Sequence, residues 1–98
     1  MTPDRFIAGL PKAELHMHIE GSIEPGLFIE LARRNGVAIP WKTEEELRAA
    51  YRFKDLQAFL DLYYDGCRVL VHKQDFHDVT RAYLAHAHAD RVLHAQLF

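Results

Sequence analysis

His16 and His18 stand two residues apart in the run Leu15-His16-Met17-His18-Ile19-Glu20-Gly21-Ser22. On an extended strand alternate side chains share a face. The spacing therefore predicts His16, His18 and Glu20 on one side and Leu15, Met17 and Ile19 on the other. An apolar face packs. A face carrying two imidazoles and a carboxylate needs partners, and a divalent metal ion satisfies them together. A hydrogen-bonded histidine pair with no ion is the plain alternative for an isolated H-x-H.

The other histidines carry weaker signals. His86-Ala87-His88 repeats the spacing inside a helical pattern. Residues two apart on a helix point about 200° from one another, so this pair is expected on a solvated face. His72 and His77 fall near helix ends and are expected at the surface. His94 shares a strand face with Gln96, where it either looks toward the interior that His16 faces or makes an ordinary core hydrogen bond.

The elements that must position the pair follow from the punctuation of the chain. Thr2-Pro3 opens a short helix that Gly9 and Pro11 stop. A strand is predicted at about 13–19. Pro25 opens a helix to about Arg34, with Leu27, Phe28, Leu31 and Ala32 as its apolar stripe and Asn35-Gly36 as its stop. Thr43 to Glu46 reads as a capping box for a helix to about Ala50. Asp55 caps a longer helix with the stripe Leu56, Phe59, Leu60, Tyr63, Cys67 and Leu70. Lys73 to Ala89 forms another helix, and Arg91 to Phe98 a second strand. Strand, helices, strand is one α/β unit with an enlarged connection.

Composition narrows the function classes. The 98 residues carry a formal charge of -2, with 49% hydrophobic and 27% charged residues. A nucleic-acid backbone is not expected as a partner without a basic excess. No apolar run reaches the length of a membrane span, and Met1 to Gly9 lacks the apolar core of a signal peptide. Cys67 stands alone, which excludes a disulfide framework and a cysteine-based zinc site and fits a reducing, cytoplasmic setting. No domain boundary is expected in 1–98. Two strands and a few helices make a marginal core by themselves, so the segment is expected to be the N-terminal part of something larger.

At Pro11-Lys12-Ala13-Glu14-Leu15-His16-Met17-His18-Ile19-Glu20-Gly21-Ser22 the chain resembles the adenosine/adenine deaminase family, with its signature PK-x-ELH-x-H-x-(D/E)-G-(S/T/A). The likeness continues through Leu56-Gln57-x-Phe59-Leu60-Asp61-Leu62-Tyr63-Tyr64 and from Asp75-Phe76 to Tyr83-Leu84. It covers essentially all of the chain.

The resemblance implies a (β/α)8 barrel, which takes about 250 residues, with this chain supplying the first two strands and the helices between them. It implies that His16 and His18 are ligands of a catalytic zinc ion. It gives Glu20, with Gly21, a contact to the substrate. Glutamate at that place resembles the adenine deaminase branch. Leu56, Phe59, Leu60 and Tyr63 match apolar positions that gate the family's pocket. The implied reaction is zinc-dependent hydrolytic deamination of a purine, adenine to hypoxanthine plus ammonia, with adenosine to inosine as the alternative.

The family's third histidine ligand, aspartate ligand, acid glutamate and orienting histidine match nothing in these residues. No catalytic residue is therefore expected within the segment, which is expected to be inactive alone. Family members often carry Glu where Gln96 stands. Two other readings stay open. One is an H-x-H barrel hydrolase of cyclic amides or esters, which the P-K-x-E-L-H context disfavours. The other is a non-catalytic truncated helical module. The sequence sets no oligomeric state.

Overall fold

Two short strands lie side by side in parallel, β1 (Lys12–Met17) and β2 (Val92–Leu97). The elements between them are all helical, joined by short turns, because parallel neighbours need a crossover and 74 positions (18–91) are used for it. The computed structural model describes residues 2–98. Met1, at the head of the stretch read for a leader, lies outside the described residues. The elements in order are α1 (Pro3–Gly9), β1, a 3-10 turn (Ile19–Gly21), α2 (Pro25–Asn35), α3 (Glu44–Ala50), α4 (Leu56–Arg68), α5 (Lys73–Ala89) and β2.

Local chemistry sets most helix ends. Thr2 Oγ1 accepts from the Arg5 N–H at 3.3 Å. Thr43 Oγ1 accepts from the Glu46 N–H at 3.1 Å, and Glu46 reaches back to the Lys42 N–H at 3.0 Å. Asp55 Oδ1 accepts from the Ala58 N–H at 2.8 Å. The bonds to Thr2, Thr43 and Asp55 each satisfy a backbone donor that the first helical turn leaves free. Gly36 ends α2 in the left-handed region at φ 65°, where a side chain would be strained.

The strands are shorter than the sequence suggests. Pairing runs from Lys12 opposite Val92 through Ala13–His94 and Glu14–Ala95 to Met17–Leu97, with register shifts after Lys12 and between Glu14 and Met17. His18 is still extended, and residues 19–21 leave that conformation for the 3-10 turn. The Gly21 N–H bonds the His18 carbonyl at 2.9 Å, and Ser22 Oγ donates to the Ile19 carbonyl at 2.7 Å. The expected strand alternation is thus corrected beyond Met17: Glu20 lies in the turn and does not share a strand face with the histidines. The expected apolar face also fails at Leu15, which is 64% exposed, while Ile19 is buried.

The core sits among the helices. Ile19 and Ile23 pack with Phe28 and Leu31 of α2, Leu47 of α3, Leu62 of α4, Val69 and Leu70 after it, and Val79 of α5. In α4 the buried line is Leu62 and Gly66, one step round from the predicted stripe, and Leu56 is 71% exposed.

A buried carboxylate locks this layer. Asp75, in the first turn of α5, is 1% exposed. Its oxygens accept from the Val71 N–H at 2.9 Å, the His72 N–H at 2.7 Å and Asn35 Nδ2 at 2.8 Å, and from the Arg34 guanidinium. Asn35 also donates to the Val69 carbonyl at 2.9 Å. One side chain thereby joins the end of α2 to the turn between α4 and α5. Among the described residues no helix is long and apolar enough to cross a membrane.

Candidate functional site

His16 lies near the end of β1 and His18 one residue past it. Their rings converge. The two Nε2 atoms are 3.2 Å apart and the ring centroids 5.0 Å. Two donors on a tetrahedral zinc ion at 2.0–2.1 Å lie about 3.3 Å from each other, so the spacing fits a shared cation. It equally suits a single N–H···N bond when one ring donates. Both side chains are exposed, and among the described residues no group of three His, Cys, Asp or Glu side chains comes together at one point. An imidazole pair is a ligand type common to zinc sites.

The turn after His18 carries Glu20 and Gly21 to the wall of a pocket of about 210 Å³. Phe28 of α2, Phe59, Leu62 and Tyr63 of α4, and Tyr51 and Phe53 complete it. Its size suits a small ligand rather than the roughly 300–1,000 Å³ of drug-sized sites. Phe59 stacks on Tyr63 at 6.2 Å and meets Phe53 edge-on at 5.0 Å, so one side of the pocket is aromatic. Flat rings beside a carboxylate suit a planar ligand with hydrogen-bond donors on its edge.

The predicted pocket residues divide. Glu20, Gly21, Phe59 and Tyr63 come together here. Leu56 and Leu60 do not line the pocket; Leu56 points to solvent and Leu60 is half-buried. Tyr51, Phe53 and Phe28 were not picked out by sequence reasoning. Phe53 precedes α4 outside any periodic pattern, so no spacing signal marked it.

Electrostatics keep the floor of the site neutral. Burial pushes the Tyr63 phenol up, and the charge of Glu20 and the Cys67 thiol add to it. Burial and Glu20 likewise push the Cys67 thiol up, against a hydrogen bond from Tyr63. Neither group ionises readily beside the carboxylate. Tyr51 is pushed up to about 12, by burial and then by Glu24, with Arg48 opposing. Its hydroxyl donates to the Ile23 carbonyl.

The remaining histidines stay apart from the pair. His86 and His88 are exposed on α5, with His86 Nδ1 3.6 Å from Glu24. His94 Nε2 lies 3.4 Å from Gln96 Nε2.

Comparison with known proteins adds a lineage to this geometry. A family model described as adenosine deaminase matches residues 11–98. The chain is 62% identical over 95 residues to an adenine deaminase of Rhodopseudomonas palustris, covering 97% of this chain and 28% of that protein. It is 59% identical over 93 residues to an adenine deaminase of Hahella chejuensis, covering 95% and 28%. The crystal structure of adenine deaminase from Arthrobacter aurescens superposes with a TM-score of 0.81 at 55% identity, over 89% of this chain and 27% of that one. The chain thus spans about 28% of the length of the curated relatives it matches.

Proposed function

Because the chain belongs to the adenosine deaminase family, we propose that it supplies the first metal ligands and one wall of the base pocket in a hydrolytic deaminase acting on adenine. Its strand–helices–strand unit is part of that family's (β/α)8 barrel. The observation that carries the reading is the 3.2 Å approach of the His16 and His18 Nε2 atoms beside a pocket edged by Glu20.

In this reading His16 and His18 hold a zinc ion through neutral imidazole nitrogens. A bound zinc ion would supply activation of water by lowering its pKa toward neutrality. Glu20 accepts hydrogen bonds from the edge of the base. Phe59 and Tyr63 hold the ring plane and exclude water from one face. The further ligands and the acid that protonates the ring nitrogen come from outside residues 1–98, and these residues alone do not turn over substrate. Net charge of -2 and the aromatic, carboxylate-edged pocket favour a small purine over a nucleic acid. The lone Cys67 supports a cytoplasmic setting.

The test is ammonia release by the full-length protein with adenine and with adenosine in parallel. Hypoxanthine forming in preference to inosine is the expected result. A preference for adenosine overturns the choice of substrate, and activity on neither overturns the reading.

A further inference from the structure

Phe98, the last residue of the predicted second strand, lies against both histidines. Its ring centroid is 4.6 Å from that of His16, with the planes 32° apart, and 5.9 Å from that of His18, at 37°. Both separations fall in the range of favourable aromatic pairs. With the histidine rings 5.0 Å from each other, the three form one cluster. The main chain is tied to the same segment. The Phe98 N–H donates to the Met17 carbonyl at 2.8 Å, and the Phe98 carbonyl accepts from the Ile19 N–H at 3.2 Å. These bonds bracket His18 from both sides and carry the pairing of the strands one residue past Leu97.

From this geometry we propose that Phe98 is a positioning residue for the imidazole pair. Its main chain fixes where His18 leaves the strand. Its ring restricts rotation of His16, so that both Nε2 atoms point to one locus before a cation arrives. A free imidazole surrenders rotamer freedom when it binds an ion, and one already held by an adjacent ring surrenders less. The inference rests on the reading of His16 and His18 as metal ligands.

Apo full-length protein is loaded with zinc against a competing chelator, and with cobalt for its visible absorption. Phe98→Leu keeps an apolar side chain and the main-chain bonds but removes the flat face. It is expected to weaken zinc binding about tenfold, the size of one lost aromatic contact, and to shift the cobalt bands. Phe98→Tyr restores both. Wild-type zinc affinity with an unchanged cobalt spectrum in Phe98→Leu overturns the proposal, as does a loss that Phe98→Tyr fails to restore. His16→Ala serves as the control. Zinc held as tightly there as in the wild type means that the ligand assignment has failed, not the role of Phe98 alone.

Discussion

Asn35 Nδ2 donates to Asp75 Oδ2 at 2.8 Å, tying the last residue of α2 to the first turn of α5. The same carboxylate takes the Val71 and His72 N–H groups, so three segments meet on one buried anion. Asp75→Ala strands those donors in a dry environment. An expected loss of about 3 kcal/mol in unfolding free energy follows, read from denaturant curves.

The anion also sets the acid limb of stability. Burial alone disfavours the charged form, but the donors from His72, Arg34, Val71 and Asn35 outweigh it and hold the Asp75 carboxyl well below the usual carboxylate range. A depressed folded-state value means stabilisation present above the unfolded value of about 3.9 and lost as pH falls through the folded one. Thermal midpoints of the wild type are expected to drop below about pH 4. In Asp75→Asn the midpoint starts lower and the drop is shallower.

Tyr51 works at the opposite limb. Its phenol is pushed up to about 12, by burial first. A raised folded-state value means that its contribution is complete below the unfolded value of about 10 and is lost as pH rises through about 12. Tyrosinate absorbance should show an ionisation near pH 12 that Tyr51→Phe removes. That variant also loses the hydroxyl bond to Ile23, at about 1 kcal/mol.

Gly66 is buried inside α4, yet a Cβ there meets Glu20 O at 3.5 Å and Phe28 Cε2 at 3.5 Å, which is ordinary contact. Gly66→Ala is therefore expected to stabilise the fold by about 0.5–1 kcal/mol through reduced backbone freedom in the unfolded chain. Calorimetric melting measures it, with Gly66→Val, whose branches press on the Glu20 turn, lower than the wild type.

His16→Ala and His18→Ala in the full-length protein each remove one of two converging donors. Metal content by atomic absorption should fall after dialysis, and turnover should fall by orders of magnitude. Glu20→Asp shortens the carboxylate at the pocket wall. The ratio of kcat/KM for adenine to that for adenosine is expected to move toward the nucleoside.

What the sequence disclosed follows the range of the forces involved. Helix starts at Thr2, Thr43 and Asp55 and the stop at Gly36 were legible because each acts within a few residues of itself. The family signature marked the histidines and Glu20. The end of β1 was not legible, because bonds from Gly21 and Ser22 back to His18 and Ile19 compete with strand alternation. Asp75 looked like any acidic residue in a first helical turn; its burial depends on Arg34 and Asn35, about forty positions away. Leu56 fitted a helical stripe by count, but the face of α4 that is buried is fixed by Leu62 and Gly66 against the Glu20 turn.

A single residue, Ile19, separates the second imidazole from the pocket wall, which begins at Glu20 within the same three-residue turn. Such a short tether leaves no slack. Lengthening it would drag the ring off its neighbour as surely as it would relocate the carboxylate. Selectivity on this scaffold is therefore open to revision by swapping one acidic side chain for another of different reach, while insertions and deletions at that point are closed off as an evolutionary route.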